Sequence, residues 1–130
     1  MKELSCEQRI DATLKGRLED LNRMLGGEIS DELGRLGDYA LSFDYVAPGT
    51  FDDQDEGYFR YQISWGGPSD EFRFFTGPDF RCSRIEYWFL DWFDGSHRDC
   101  SRDATALSLW RWLVDTGAVN DARREARLYG

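Results

Sequence analysis

The N-terminal part of the chain has the hydrophobic period of a helix. Between Ser5 and Leu25, apolar residues recur every three or four positions, which puts them on one stripe, with charged residues elsewhere. Gly26 and Gly27 follow and end the pattern, as glycine commonly does at a helix C-terminus. The sequence therefore predicts a helix over about residues 5–25. Its apolar stripe consists of Ile10, Leu14, Leu18, Leu21 and Leu25.

The middle of the chain has a period of two. Four aromatic-rich runs between about residues 38 and 93 alternate apolar with polar positions, a pattern typical of half-buried strands. Pro48, Pro68 and Pro78 all lie in the connections between the runs, with glycine beside them. Short connections between sequential strands favour a four-stranded antiparallel meander. The residues predicted to face the helices are Tyr39, Leu41, Phe43, Phe59, Tyr61, Ile63, Trp65, Phe72, Phe74, Ile85, Tyr87 and Phe89.

The helical period returns after Asp94 and Gly95. A second helix is predicted over about residues 102–116, with Ser101 or Asp103 as its N-cap. The tail, residues 120–130, is interpreted either as a short helix or as a frayed end. No repeat or linker divides the chain. The order helix, four strands, helix predicts a single α+β domain over residues 1–130, with the C-terminal helix packed on the sheet.

The last predicted strand carries apolar residues on both faces. Trp88, Leu90 and Trp92 would lie on the face opposite the helices, where the neighbouring strands are polar. One interpretation buries this strip under the second helix or a loop, because large exposed apolar patches are uncommon on monomers. The other leaves it exposed as a surface for a partner or for dimerisation, where tryptophan is favoured.

Composition limits the classes of function. The 130 residues are 41% hydrophobic and 15% aromatic, which predicts a folded core. A net charge of −9 argues against direct binding to DNA, RNA or an anionic membrane. The three cysteines are widely spaced and odd in number, and no secretory signal precedes the first helix. These features predict reduced thiols and a cytoplasmic location, with no membrane-spanning segment.

The negative charge is concentrated in one third of the chain. From Glu28 to Glu71 there are eleven carboxylates and two arginines, while the remaining residues hold equal numbers of acidic and basic groups. A field concentrated in this way steers cationic partners towards the surface that carries it. The alternative is that these carboxylates lie in solvated loops and serve solubility.

The sequence contains no motif that assigns a reaction. His97 lies close to Cys100 and Ser101, but neighbouring residues of a loop rarely converge on one point. The cysteines and the histidine lack zinc-binding spacing. A calcium loop beginning at Asp53 would need glutamate where Ser64 stands, and no glycine-rich phosphate motif occurs. We therefore expect no enzyme activity, no metal and no cofactor.

Three blocks of the central region carry a resemblance to a known group of proteins. They are LSFDYVAPGTF (residues 41–51), GYFRYQISWGGPSDEFRFF (57–75) and RIEYWFLDWFDG (84–95). Over about residues 38–114 the chain resembles a family of small acidic proteins, mostly of unassigned function, encoded on bacterial conjugative plasmids and integrative elements. The resemblance implies a context that includes anti-CRISPR and antirestriction proteins, and it transfers no catalytic residue.

Charge and context together predict a non-enzymatic, anti-CRISPR-like inhibitor. Clustered carboxylates would meet an arginine- and lysine-rich surface of a host CRISPR–Cas effector subunit or another nucleic-acid-handling protein, with tryptophans as anchors. The alternative is a mobile-element adaptor or regulator that forms a homodimer or binds an element-encoded partner. The predicted partner-binding residues are Asp31, Glu32, Asp52, Asp53, Asp55, Glu56, Trp88 and Trp92.

Overall fold

The structure, a computed structural model, describes residues 4–27, 36–77, 79 and 81–129. Within these residues the chain is α+β, as predicted. The helices are α1 (Cys6–Leu25), α2 (Leu36–Tyr39), α3 (Ala104–Asp115) and α4 (Ala118–Tyr129). The strands are β1 (Ser42–Val46), β2 (Tyr58–Ser64), β3 (Ser69–Thr76), β4 (Cys82–Asp91) and β5 (Asp94–Asp99).

Helix α1 confirms the N-terminal prediction and begins with a capping box. The Ser5 hydroxyl accepts from the backbone N–H of Gln8, and the Gln8 side chain accepts from the backbone N–H of Ser5. Ile10 and Leu21 of the predicted stripe are fully buried, and the stripe's other leucines pack at the edge of the same core. Gly27, at φ +92°, follows the helix in the left-handed conformation that glycine adopts readily.

The sheet is an antiparallel meander in the order β1-β2-β3-β4-β5. The predicted meander is confirmed, but the count of four strands is wrong. The segment from Asp94 to Asp99 pairs with β4 as a fifth strand, where the sequence predicted a loop before the helix cap. Its helix-facing residues are Ser96 and Arg98, which hydrogen-bond to Glu7 on α1. Because this strand is held by polar contacts, it lacks the hydrophobic alternation on which the prediction relied.

The helices cover one face of the sheet. Residues from α1, α3 and α4 form one core cluster with the aromatic side chains of β2, β3 and β4. Trp110 of α3 packs between Phe59 and Phe74, with ring centres 5.5 and 5.1 Å away. Aromatic burial of this kind supplies much of the hydrophobic stabilisation of a small domain.

Two residues predicted to face the helices lie elsewhere. Leu41 is 65% exposed because it precedes β1, and Trp65 is 76% exposed because β2 ends at Ser64 after a bulge. Tyr39, assigned to the first strand, ends the short helix α2. In both cases the alternating pattern in the sequence extends beyond the strand, β1 or β2, that the backbone forms.

The C-terminal region contains two helices: α3 in the place of the predicted helix over about residues 102–116, and α4 in the tail. Asp103 caps α3 by accepting from the backbone N–H of Ala106 at 2.9 Å, as one of the two cap predictions required. Gly117 at φ +88° separates α3 from α4, so the tail takes the helical alternative. Both helices contribute buried residues to the core on the same side as α1. The interpretation in which the second helix covers the opposite face of the sheet is therefore wrong.

Candidate functional site

The face of the sheet opposite the helices, called here the outer face, carries charges in cross-strand register. Asp44 of β1 lies opposite Arg60 of β2 and accepts two hydrogen bonds from it, at 3.0 and 2.7 Å. The same row continues through Arg73 and Glu86 to Asp99. Two of the four neighbouring pairs in this row are of opposite charge and favour the sheet, whereas Arg60 beside Arg73 and Glu86 beside Asp99 are like-charged and do not.

Arg73 lies at the centre of the outer face, between two aromatic rings. Its guanidinium is 4.8 Å from the ring centre of Tyr58 and 4.1 Å from that of Trp88. Glu71, which is buried, accepts from Arg73 Nε at 2.7 Å. Trp88 in turn donates from its indole N–H to Glu86 at 3.0 Å. These contacts fix an aromatic floor, and burial there raises the pKa of Tyr58.

The connection between β1 and β2, residues 47–57, forms one wall above this floor and is called here the acidic loop. Gln54 organises it: its side-chain amide accepts from the Phe51 N–H at 3.0 Å and donates to the Glu56 carbonyl at 2.8 Å. The Gly49 N–H donates to the Gln54 carbonyl at 2.8 Å. Asp53 has φ +58°, a conformation that aspartate tolerates better than most residues. The loop is therefore ordered by its own hydrogen bonds.

Gly57 lets the acidic loop return closely to β1. A Cβ atom at this position would lie 2.8 Å from ring carbon Cζ of Tyr45 and 3.0 Å from Pro48 Cδ. Such distances are shorter than side chains accept, so any other residue would push the loop away from the sheet. Glycine at position 57 thus lets the end of the acidic loop pass close to Tyr45, whose ring packs against Phe59 on the helix-facing side of the sheet.

Wall and floor together enclose a concavity of about 420 Å³, called here the acidic cleft. Glu56 of the wall pairs with Arg84 at 3.2 Å, whereas Asp52, Asp53 and Asp55 are exposed and form no ion pair with a described residue. Five carboxylates and one guanidinium group line the cleft, so its field is negative. The lining residues are Phe51, Asp52, Asp53, Gln54, Asp55, Glu56, Tyr58, Arg73, Phe75, Glu86 and Trp88.

The structure brings together five of the eight predicted partner-binding residues. Asp52, Asp53, Asp55 and Glu56 stand on the acidic loop, and Trp88 lies on the floor below them. Trp92 lies apart, in the two-residue connection between β4 and β5 at the other end of the sheet. The predicted sites at positions 31 and 32, Asp31 and Glu32, lie outside the described residues.

The strip of Trp88, Leu90 and Trp92 is not one surface. Trp88 and Leu90 are half-buried on the outer face. The Trp88 ring contacts the Arg73 guanidinium and also stacks on the His97 ring, with 4.4 Å between the centres of the Trp88 and His97 rings. Trp92 is 89% exposed and has φ +55°. The predicted period of two fails at Trp92 because the chain turns there.

Part of the predicted acidic segment is internal to the fold. Asp70 is 1% exposed and accepts two hydrogen bonds from Arg17 of α1, at 2.7 and 3.1 Å, and one from Tyr87 at 2.6 Å. Ser64 also donates to Asp70. Glu71 pairs with Arg73, as described above. Counting charges along the chain missed these pairs because both arginines that neutralise Asp70 and Glu71 lie outside residues 28–71.

Sequence reasoning missed the residues that shape the cleft. Tyr58, Phe75 and Glu86 are contributed by three different strands. Arg73 is held between the rings of Tyr58 and Trp88. The available signal was the polar alternate positions of the predicted strands, which include Arg73. The alternation of polar positions places these residues on a common face of the sheet. The path of the acidic loop, which the alternation does not predict, turns that face into a cleft.

The groups considered for catalysis lie on different sides of the sheet. His97 stacks on Trp88 on the outer face, whereas Cys100 is buried in the core with the helices. Burial raises the pKa of the Cys100 thiol to about 12 and that of Cys82 to about 11, so both stay protonated at neutral pH. Among the described residues, no three histidine, cysteine or carboxylate side chains are grouped so as to hold a metal ion.

None of the helices in the described part of the chain has both the length and the apolar character needed to cross a bilayer.

Comparison with profiles of known protein families, with curated protein sequences and with solved structures gives no significant match. The geometry of the acidic cleft, its charge and its aromatic floor are therefore the basis on which a function is argued.

Proposed function

We propose that the protein is a non-enzymatic inhibitor that binds a basic, nucleic-acid-holding surface of a host defence complex through the acidic cleft. The resemblance described above favours a CRISPR effector protein or complex as the target. The observation that carries the proposal is the cleft itself: exposed carboxylates of one ordered loop stand above a floor formed by buried Tyr58 and Phe75 and half-buried Trp88.

The chemistry of the cleft suits arginine and lysine side chains. Asp52, Asp53 and Asp55 offer carboxylate oxygens with no ion-pair partner among the described residues. Phe51, 51% exposed in the same loop, offers an apolar surface for the methylene stem of an incoming cationic side chain. Guanidinium groups bind carboxylates in bidentate geometry and also pack on aromatic rings, so an arginine side chain matches both the loop carboxylates and the exposed Phe51 ring.

The charge distribution favours a macromolecular partner with a broad basic surface. The exposed carboxylates lie on one loop at one end of the sheet, so their fields add over that end. A surface that normally holds a phosphate backbone presents rows of cations to which such a field is complementary. Binding there would exclude the nucleic acid by competition, with no chemical step required.

The proposal is tested by competition with guide RNA. A purified CRISPR effector protein, free of guide RNA, is immobilised, and binding of the protein is measured with and without added guide. We expect binding to the free effector and loss of binding when guide RNA is added first. An Asp52→Asn/Asp53→Asn/Asp55→Asn variant should bind at least about tenfold more weakly.

A matched control removes three exposed carboxylates from the helices instead. The Glu19→Gln/Asp115→Asn/Glu125→Gln variant has the same net charge as the loop variant, and all three residues are exposed. It should bind as the wild type does. Equal binding by the wild type and the loop variant would contradict the proposal, as would an effector that binds equally well with its guide in place.

The adaptor alternative gives a different result in the same measurement. An element-encoded partner recognised through apolar contacts would bind with little salt dependence and no competition from RNA.

A further inference from the structure

The meander places three exposed aromatic side chains at the end of the sheet opposite the acidic loop. The β2–β3 turn and the β4–β5 connection both lie at this end, because consecutive antiparallel strands reverse direction. Trp65 in the turn is 76% exposed, Trp92 is 89% exposed, and Phe93 is fully exposed. Together with Leu4 and Pro68, these residues are called here the aromatic end.

The members of the aromatic end are neighbours. A Cβ atom on Gly67 would lie 3.3 Å from the indole nitrogen of Trp92, so the Trp92 ring packs beside the turn that follows Trp65. Leu4 and Pro68 line an adjoining shallow groove with Gly67. Leu4, Pro68 and Trp92 thus lie around Gly67, and Trp65 and Phe93 are the exposed sequence neighbours of that turn and of Trp92.

The backbone holds Trp92 in a conformation that large residues rarely adopt. Its φ of +55° lies in the left-handed region, where tight connections between strands usually have glycine or asparagine. Phe93 follows directly, so the two-residue connection projects two aromatic rings away from the sheet. A large aromatic residue in this conformation carries backbone strain, which makes the connection a candidate functional position.

The area of the patch fits the central part of a dimer interface. Aromatic side chains bury about 150–250 Å² each, so the three rings, largely exposed, present about 500 Å². Two such patches facing each other would remove about 1,000 Å² from water before any rim is counted. A specific interface needs about 1,200–2,000 Å² in total, which a modest rim around the patch would complete.

The charges around the patch also favour a second copy of the chain. Arg9 and Asp91, which border the groove, pair with each other at 2.8 Å. Asp94 beside Phe93 accepts from the Cys6 backbone N–H, so the rim carries one net negative charge. The acidic loop lies at the far end of the sheet, so two molecules of net charge −9 can meet here while their acidic clefts stay apart.

We propose that the aromatic end is an isologous dimer interface, in which Trp65, Trp92 and Phe93 pack against the same residues of a second copy. The dimer would carry its two acidic clefts at opposite outer ends and would bind a target with repeated basic surfaces bivalently. The interface itself does not depend on what the acidic cleft binds.

Sedimentation velocity over a series of protein concentrations tests the proposal. We expect the wild type to pass from monomer to dimer below about 100 μM, and association to be unchanged or strengthened by added salt. A Trp92→Gly/Phe93→Ser variant should associate at least about tenfold more weakly. Trp92→Gly keeps a residue suited to the positive φ, and circular dichroism verifies that the variant is folded.

Two controls separate this interface from the acidic cleft and from an unspecific loss of apolar surface. The Asp52→Asn/Asp53→Asn/Asp55→Asn variant should dimerise at least as strongly as the wild type. Leu107→Ala, which removes an exposed apolar side chain from α3, should also leave association unchanged. A wild type that stays monomeric, or dimers that the aromatic-end variant leaves intact, would overturn the proposal. Monomers that bind neutral phosphatidylcholine vesicles through Trp92 would overturn it in favour of a lipid surface.

Discussion

The guanidinium of Arg73 lies 4.1 Å from the ring centre of Trp88 and is held there by Glu71. This arrangement ties the middle of the outer face to the floor of the acidic cleft. The Glu71 side chain is 4% exposed and that of Arg73 is 16% exposed, so the pair is largely removed from water. The Arg73–Glu71 pair holds the rings of the cleft floor in place, and removing one member leaves the other charge buried without its partner.

Removing one member of the pair should destabilise the protein strongly. Arg73→Met leaves the buried Glu71 carboxylate without its cation, which we expect to lower the free energy of unfolding by about 3–5 kcal/mol. The double variant Arg73→Met/Glu71→Met removes both charges and should recover most of that loss. Urea unfolding of the three proteins measures the difference. A single variant as stable as the wild type would show that the pair contributes nothing to the fold.

Two buried tyrosines should respond differently to the loss of their hydroxyl group. Tyr87 donates to the buried carboxylate of Asp70 at 2.6 Å, so Tyr87→Phe should cost about 1.5–3 kcal/mol. The Tyr61 hydroxyl is buried and has no hydrogen-bond partner among the described residues, so Tyr61→Phe should be neutral or stabilising. Thermal or urea unfolding compares the two variants. Equal losses would contradict the assignment of Asp70 as a charged acceptor.

The sequence predicted the fold where burial is apolar and failed where burial is polar. Helix α1 and the aromatic strands follow from their hydrophobic periods, and Asp103 follows from capping chemistry. Strand β5 and the buried Asp70 could not be predicted, because the contacts that tie them to α1 join residues more than fifty positions apart and involve charged groups. The carboxylates of the acidic loop were predicted, but the cleft was not, because it depends on how the loop, ordered by Gln54, lies against side chains of three strands.

Stability should fall on both sides of a neutral plateau. Hydrogen bonds from Arg98 and Ser96 lower the pKa of Glu7 from 4.5, and the backbone N–H of Cys6 lowers that of Asp94 from 3.8. A lowered folded-state pKa gives stability that is present above the ordinary value and is lost as the pH falls through the folded one. Acid unfolding should therefore begin near pH 4.5 and continue below pH 3.8. Glu7→Gln should reduce the slope in that range.

At alkaline pH, stability should fall as the pH rises. Burial raises the pKa of Tyr39 from 10.0 to about 12 and that of Cys82 from 9.0 to about 11. Stability from these groups is complete below their ordinary values and is lost as the pH rises towards the folded ones. Urea midpoints measured across the pH range should thus be flat between about pH 5 and pH 9. A urea midpoint that increases as the pH is raised above 9 would contradict the burial of these groups.

Replacing Trp92 with glycine should not destabilise the monomer. The left-handed conformation costs an L-residue about 1–2 kcal/mol, which glycine avoids, while the exposed indole contributes one contact beside Gly67. We expect a melting temperature equal to or above that of the wild type, measured at a concentration where both are monomeric. Destabilisation beyond about 1 kcal/mol would show that Trp92 holds the connection together.

The most direct test of the acidic cleft is the salt dependence of its association rate with a guide-free CRISPR effector. The rate constant is measured from about 50 to about 500 mM NaCl for the wild type, the Asp52→Asn/Asp53→Asn/Asp55→Asn variant and the Glu19→Gln/Asp115→Asn/Glu125→Gln control. We predict that the wild type and the control associate about tenfold or more faster than the loop variant at low salt, with convergence at high salt. Equal rates for the wild type and the loop variant at low salt would contradict the claim that these carboxylates meet a basic partner.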